Sequence, residues 1–196
     1  MERRAFLFTV TAGAASMLAL SGCGAVSSAS ATPGKGNAPR TEKIDAGAND
    51  TLTRLYGMTP GARELVAKSR GMLIFPSVIA AGFGVGGQYG EGVLRSGRSV
   101  LGYYNMASVS VGLQIGAQSK AIVFLFLTQE SLDQFRNAKG WSVGADASVA
   151  VLRAGANGQI DVNAVTAPVA AFVMTNAGLM ANLTLEGTKI TRITPD

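Results

Sequence analysis

The chain contains no histidine and a single cysteine among its 196 residues. Without histidine, neither a Ser-His-Asp nor a Cys-His catalytic arrangement can form, and neither can a His-ligated zinc site. A single cysteine excludes an internal disulfide, a CxxC redox pair and a metal site built from several cysteines. The sequence therefore predicts no catalytic residues, no metal site and no cofactor.

Charge is also scarce, since only 15% of the residues are Asp, Glu, Lys or Arg. The acids are scattered without the paired spacing of a carboxylate hydrolase, which needs two of them about 5 to 10 Å apart, so an enzyme is the weakest function class. The net charge of +5 is too small to indicate nucleic acid in an exported protein, but it suits an anionic membrane surface. With 47% hydrophobic residues, the chain can form one globular domain.

The N-terminus has the pattern of an export signal. Arg3 and Arg4 precede an apolar stretch, residues 5–20, that contains glycine and several hydroxyl residues. This stretch is short for a membrane-crossing helix and typical of a secretory signal. We predict that residues 1–22 are a signal peptide, with the Sec and twin-arginine routes both left open.

The only cysteine, Cys23, lies where this signal ends. Leu20-Ser21-Gly22-Cys23 matches the bacterial lipobox, in which the cysteine is acylated, with palmitate for example, and becomes the first residue of the mature protein. We therefore predict a lipoprotein attached to the bacterial envelope at Cys23. Gly24 in the next position favours the outer membrane.

A flexible tether and a folded domain follow. Residues 24–41 are rich in Gly, Pro and Ser and have no periodicity, which is typical of a linker. We assign residues 23–42 to the lipidated N-terminus and tether, and residues 43–196 to the domain.

Three helices are predicted in this domain. Apolar residues recur at helical spacing over residues 43–57, and this stripe could pack on a sheet or enter a membrane. Thr59 as N-cap and Pro60 in the first position predict a second helix over residues 60–70. Thr128 caps a third helix near residues 129–139.

The rest of the domain has the period of two that indicates strands. Residues 109–116 and 141–151 alternate as half-buried strands do, and residues 121–127 are apolar on both faces, as in a central strand. Residues 95–99 and Asn157-Gly158 mark turns. We predict an α+β fold: a largely antiparallel, curved β-sheet of short Gly-rich strands with two N-terminal helices and one internal helix.

Residues 82–87 match the dinucleotide fingerprint G-x-G-x-x-G. That fingerprint requires a helix N-terminus directly after it, but the following residues carry Gly90 and Gly92, no N-cap and no helical stripe. We therefore predict no nucleotide. The alternating Gly82, Gly84 and Gly86 leave one strand face bare, which favours close packing against another segment.

Several motifs together resemble the SYLF-domain family. They are "RGMLIFPSVIAAGFGVGGQYGEGVL", "ASVSVGLQIGAQS", "GADASVAV" and "LMANLTLEG", in the order and spacing of that family, and the resemblance covers about residues 44–193. It implies a lipid-binding module. Eukaryotic members recognise phosphoinositides beside actin-linked partners, and many bacterial members look like exported lipoproteins.

The resemblance also implies where lipid binds. It makes the first amphipathic helix and the basic residues near it the candidate contacts for anionic head groups of membrane lipid: Lys43, Arg54, Arg63, Lys68 and Arg70. Solvated surface is the alternative role for these five residues. The leading hypothesis is a lipid-anchored envelope protein that binds anionic membrane lipid without catalysis. The alternative is a structural or adaptor lipoprotein that binds another envelope protein or a glycan.

The lipobox generates the first testable prediction. Replacement Cys23→Ser should release the protein from membranes, because two acyl chains anchor stably where one binds only marginally. The wild type should sediment with membranes and incorporate labelled fatty acid, and the variant should do neither. A soluble, unlabelled wild type would show that the lipidation prediction is wrong.

Overall fold

The structure, a computed structural model, describes residues 38–152, 160, 165–176, 178–180 and 185–194, without the side chains of residues 38, 83–85 and 110–117. The described elements all belong to one compact unit, Pro33–Asp196. The predicted signal peptide, Cys23 and the Asn157-Gly158 turn lie outside the described residues.

Three helices and seven strands are described. The helices are α1 (Ala38–Met58), α2 (Ala62–Lys68) and α3 (Gln129–Asn137). The strands are β1 (Gly71–Ser96), β2 (Ser99–Phe126), β3 (Trp141–Ser142), β4 (Val149–Val151), β5 (Val169–Thr175), β6 (Gly178–Leu179) and β7 (Lys189–Ile193). The α+β class is confirmed, and the sheet is antiparallel apart from the parallel pair of β4 and β5.

The first two helices differ from the prediction at their ends. Helix α1 begins at Ala38, so residues 38–42, predicted as tether, are helical. Thr59 does not cap α2: its backbone N–H donates to Leu55 O at 3.0 Å and so extends the end of α1. Gly61, in the left-handed region at φ 89°, precedes α2 and reverses the chain, which is why α2 starts later than predicted.

Two other local predictions are confirmed. Thr128 is the N-cap of α3, and its side chain accepts a hydrogen bond from the Ser131 backbone N–H at 3.1 Å. Gly97 has φ 57° in the turn that joins β1 to β2. No helix follows the glycine fingerprint, because β1 continues through it as a strand.

Residues 141–151 do not form the single strand that was predicted. Gly144 adopts φ 90°, and Asp146 N–H donates to Ser142 O at 2.9 Å, so the chain turns there. The two ends of the segment pair with different strands: β3 pairs with β7, and β4 pairs with β5. Alternation in the sequence shows which residues are apolar, but it does not show that one strand is continuous.

The sheet is built on one long hairpin of β1 and β2, so these two strands are not short as predicted. They pair from Gly71↔Phe126 to Ser96↔Ser99. We call the paired residues 71–75 and 122–126 the base, and residues 91–107 the tip. At the base β2 also pairs with β5, and at the tip it pairs with β7.

The base has a core on each face. Ile122, Phe124 and Phe126 belong to one buried cluster, which Phe135 of α3 and Trp141 join. Residues 121, 123 and 125 belong to a second cluster beneath α1 and α2. The prediction of a central strand covered on both faces is confirmed, because residues 121–126 are all buried and residues 122–126 pair on both sides.

The hairpin folds back so that the two halves of β1 meet. A Cβ atom at Gly92 would overlap the Ile74 carbonyl oxygen and lie 2.6 Å from Phe75 Cδ1. At Gly90 it would lie 2.7 Å from Val78 Cγ2. The close approach that bare glycines permit is therefore found at Gly90 and Gly92, next to the predicted glycine face.

Helix α1 lies over this meeting point. Ile44, Ala48 and Leu55 are buried in the second cluster, and Gly47 faces Pro76, whose Cβ lies 2.9 Å from where a Cβ of residue 47 would be. Pro76 stands at a register shift of β1, where a proline costs no ladder hydrogen bond. The helix stripe therefore packs on the sheet, which was one of the two alternatives left open by the sequence.

The contact at residue 92 predicts a stability difference between two glycines. Gly92→Ala should destabilise the fold by about 1–3 kcal/mol, because the added methyl group overlaps backbone that is held in a ladder. Gly57→Ala is the matched control, since nothing lies within 4 Å of its added Cβ in α1, and it should be neutral or stabilising by up to about 1 kcal/mol. Chemical denaturation measures both, and equal stability of the two variants would contradict the close approach.

Candidate lipid-binding surface

The five basic residues predicted to contact lipid are all exposed. Lys43 and Arg54 lie on α1, Arg63 and Lys68 lie on α2, and Arg70 precedes β1. They therefore occupy the two helices that cover the second cluster and the junction to the sheet.

Three of the five already have partners. Arg54 Nη2 donates to Thr175 O at 3.3 Å, and Lys68 Nζ lies 2.8 Å from Glu64 Oε1 in an exposed i,i+4 pair. The Arg63 guanidinium lies 4.4 Å from the centre of the Tyr56 ring. Such exposed pairs contribute at most about 1 kcal/mol, so a lipid phosphate can compete for these cations.

The other two of these five cations have no described partner. The side chains of Lys43 and Arg70 form no hydrogen bond or ion pair with any residue that the structure describes. Arg70 is held through its backbone, because its N–H donates to Phe126 O at 2.8 Å and its carbonyl accepts from Ser96 Oγ at 2.9 Å. The backbone of Arg70 is thus held in place, and its guanidinium has no partner among the described residues.

The phenol beside Arg63 is only partly exposed. Burial raises the pKa of Tyr56, and the Arg63 charge acts in the opposite direction. The ring remains a neutral platform for the guanidinium at physiological pH. Tyr56 lies in the last turn of α1 and Arg63 lies on α2, so their contact links the two helices.

A partly buried polar clamp fixes α1 on the sheet, and sequence reasoning missed it. Arg95 donates through Nη2 to Asp45 Oδ1 at 2.6 Å and through Nη1 to Asn49 Oδ1 at 2.7 Å. Tyr103 OH donates to Asp45 Oδ2 at 2.8 Å. Burial, and then the bond to Asp45, raise the pKa of Tyr103. These partners lie far apart in the chain, so no local pattern indicates the clamp.

A second set of polar contacts holds the start of α1. Arg40 Nε donates to Glu91 Oε2 at 2.8 Å, and Tyr89 OH donates to Glu91 Oε1 at 2.7 Å. The bond from Arg40 lowers the pKa of the Glu91 carboxyl, although partial burial opposes it. The first turn of α1 is thereby tied to the point where β1 reaches the tip.

Sequence reasoning did not single out Lys120, a lysine of β2. Lys120 lies on β2, opposite Val78 of β1, and is only 8% exposed. Its ammonium forms no hydrogen bond or ion pair with the part of the chain that the structure describes, and burial lowers its pKa. A buried, uncompensated charge costs stability.

Two other kinds of site were considered on the described residues. No group of three or more Asp, Glu or Cys side chains there could hold a metal ion. None of the described helices is both long enough and apolar enough to span a membrane.

Comparison with known proteins gives one match. Residues 107–194 match the model of a protein family, Ysc84, described as "Las17-binding protein actin regulator". This segment runs from the tip part of β2 through α3 to β7. No curated protein matches the chain.

The burial of Lys120 generates a prediction about pH. Its folded pKa is below the ordinary value of 10.5, so the unfolded chain binds more protons between these two values and stability rises with pH there. Lys120→Met should stabilise the fold by up to about 1 kcal/mol at pH 7, because a partly desolvated charge is removed. This gain should shrink as the pH rises towards 10.5.

Thermal denaturation between pH 7 and 10 measures the effect. Lys189→Met is the matched control, since Lys189 is an exposed lysine in a strand, and it should change stability little at any pH. A Lys120→Met variant that is less stable than the wild type at pH 7 would show that the ammonium is stabilised in the fold.

Proposed function

We propose that the chain is a lipid-anchored envelope protein whose domain binds anionic membrane lipid and catalyses no reaction, because residues 107–194 match the Ysc84 (SYLF-domain) family model. The family supports a binding module. The lipid, the anchor and the location in the outer membrane are the finer parts of the proposal.

The observation that carries the proposal is the exposed basic surface of α1, α2 and Arg70. Five cations lie there, two of them without a described partner and three in weak exposed contacts. Each basic side chain near an anionic membrane contributes about 1 kcal/mol. The surface therefore binds weakly by itself.

The anchor makes weak binding useful. Acylation at Cys23 would hold the domain next to the bilayer through a tether of about 20 Å, and a second contact then forms at high effective concentration. Contact through the apolar stripe of α1 is not required, since that stripe is already buried on the sheet. Gly24 supports the outer membrane as the location.

An adaptor function is the second candidate. The family description names a protein as the binding partner, which favours a protein ligand such as another envelope protein. In that case the anchor alone would supply the membrane contact. Vesicle binding by the domain without its anchor separates the two functions.

We expect residues 33–196, which form one compact unit, to float with anionic vesicles at low salt and much less with neutral vesicles. Replacing Arg63, Lys68 and Arg70 together by Gln should weaken flotation at least fivefold, because about three phosphate contacts are lost. Raising the ionic strength towards 0.15 M should weaken binding of the wild type, because exposed charges are screened over about 8 Å.

A triple control removes the same charge elsewhere. Arg98, Lys189 and Arg192 are exposed at the tip of the hairpin and on β7, and their replacement by Gln should leave flotation within about twofold of the wild type. If residues 33–196 ignore anionic vesicles at low salt, the lipid function is wrong for this domain and the adaptor function replaces it. If both triple variants lose binding equally, net charge and not this surface is responsible.

A further inference from the structure

The bend of the β1–β2 hairpin forms an exposed two-stranded ribbon, residues 79–89 of β1 paired with residues 107–119 of β2. It leaves the core at Val78 and returns at Gly90, where an added Cβ would lie only 2.7 Å from Val78 Cγ2. A strand segment whose two ends meet must project between them. Folded at its middle, this one reaches on the order of 15 Å from the core.

A register shift lies at the middle of the ribbon. Gly82 pairs with Gly116 and Gly84 pairs with Gly112, so β2 is longer than β1 across this step. Extra residues on one strand bend a ribbon and increase its twist. Among the described residues, this β2 segment pairs only with β1 outside the tip pairing at Ala107, and residues 79–89 of β1 pair only with β2.

The ribbon has no charge and no buried residue among its described side chains. No Asp, Glu, Lys or Arg occurs from residue 71 to 90 or from residue 99 to 119. Ile79 is 58% exposed, Tyr89 49% and Val109 80%. Exposed apolar side chains on an uncharged projection indicate a contact surface.

Charged groups begin at the root of the ribbon. Lys120 follows it on β2, and Glu91, bonded by Arg40 and by Tyr89 OH, follows it on β1. Side chains at a bilayer surface follow the same order. Uncharged residues lie deepest, an aromatic residue places its hydroxyl at the boundary, and cations lie behind it.

The N-terminal segment joins the domain at this same root. The first described residue, Ala38, lies two positions before Arg40, which is bonded to Glu91. The first described turn of α1 therefore lies on the side from which the ribbon projects, and the predicted acylation site, Cys23, precedes it in the chain.

We propose that the ribbon is the element that enters the lipid bilayer, with Val109, Ile79 and Tyr89 among the acyl chains and head groups. The inference rests on the proposed function and names the surface that makes the apolar contact. Free backbone groups at the ribbon edges need water or head groups as partners, so the ribbon stays in the interfacial layer, about 5–10 Å deep.

Two valines on the same strand provide the test. Val109 lies on the ribbon, and Val100, which is 45% exposed, lies beside the hairpin turn away from it. Tryptophan is placed at either position in the full chain, and the protein is bound to anionic vesicles that contain brominated phosphatidylcholine. Trp141, the only native tryptophan, is 3% exposed and gives a constant background.

We expect bromine to quench Val109→Trp strongly and Val100→Trp no more than the wild type. In a second measurement, Val109→Asp should weaken vesicle binding about tenfold, and Val100→Asp should leave it within about twofold. Thermal denaturation of both Asp variants shows whether each is folded.

Each other outcome overturns a defined part of the proposal. Vesicle binding without quenching at residue 109 rejects the ribbon and leaves the basic surface as the lipid site. Failure of the full chain to bind vesicles rejects both the ribbon and the proposed function. If Val109→Asp instead converts an oligomer to a monomer in the absence of lipid, and residue 109 is not quenched, a second copy of the chain covers the ribbon.

Discussion

Where the hairpin of β1 and β2 closes on itself, the two halves of β1 come so near that residue 92 has room only for hydrogen facing the Ile74 carbonyl. This contact lets one strand pair contribute to two places in the sheet, with β5 at the base and β7 at the tip. It also forces the middle of the hairpin outwards. The core, the seat of α1 and the exposed ribbon therefore share one steric requirement.

Helix α1 covers the place where the two halves of β1 meet, so its buried apolar residues are not available for contact with a membrane. Its apolar stripe is buried, and Asp45 and Asn49 hold Arg95, which is 13% exposed in its side chain. These partly buried charge-assisted bonds share Arg95, so they are lost together if Arg95 is removed. In the proposed function, membrane contact is therefore assigned to the exposed cations on the helices and to the uncharged ribbon.

Stability and binding make opposite demands on the two parts of this fold. The base is fully buried, but Lys120, near its edge, has no described partner for its charge. Ile79, Tyr89 and Val109 on the ribbon are exposed to water. Both features cost free energy in a protein that functions alone. The proposed bilayer contact would remove the cost of the exposed apolar side chains.

The sequence by itself determined the α+β class, the central strand at residues 121–126, the Thr128 cap, the turn at Gly97 and the lack of a helix directly after the glycine fingerprint, where β1 continues, because each depends on neighbouring residues. It also indicated which basic residues would be exposed, although their binding role remains a prediction. Only the tertiary structure decided the length of β1 and β2, the division of residues 141–151 between two strand pairings, the Arg95 clamp and the burial of Lys120. Those features join residues distant in the chain, and a local pattern carries no information on which distant segment will supply the partner.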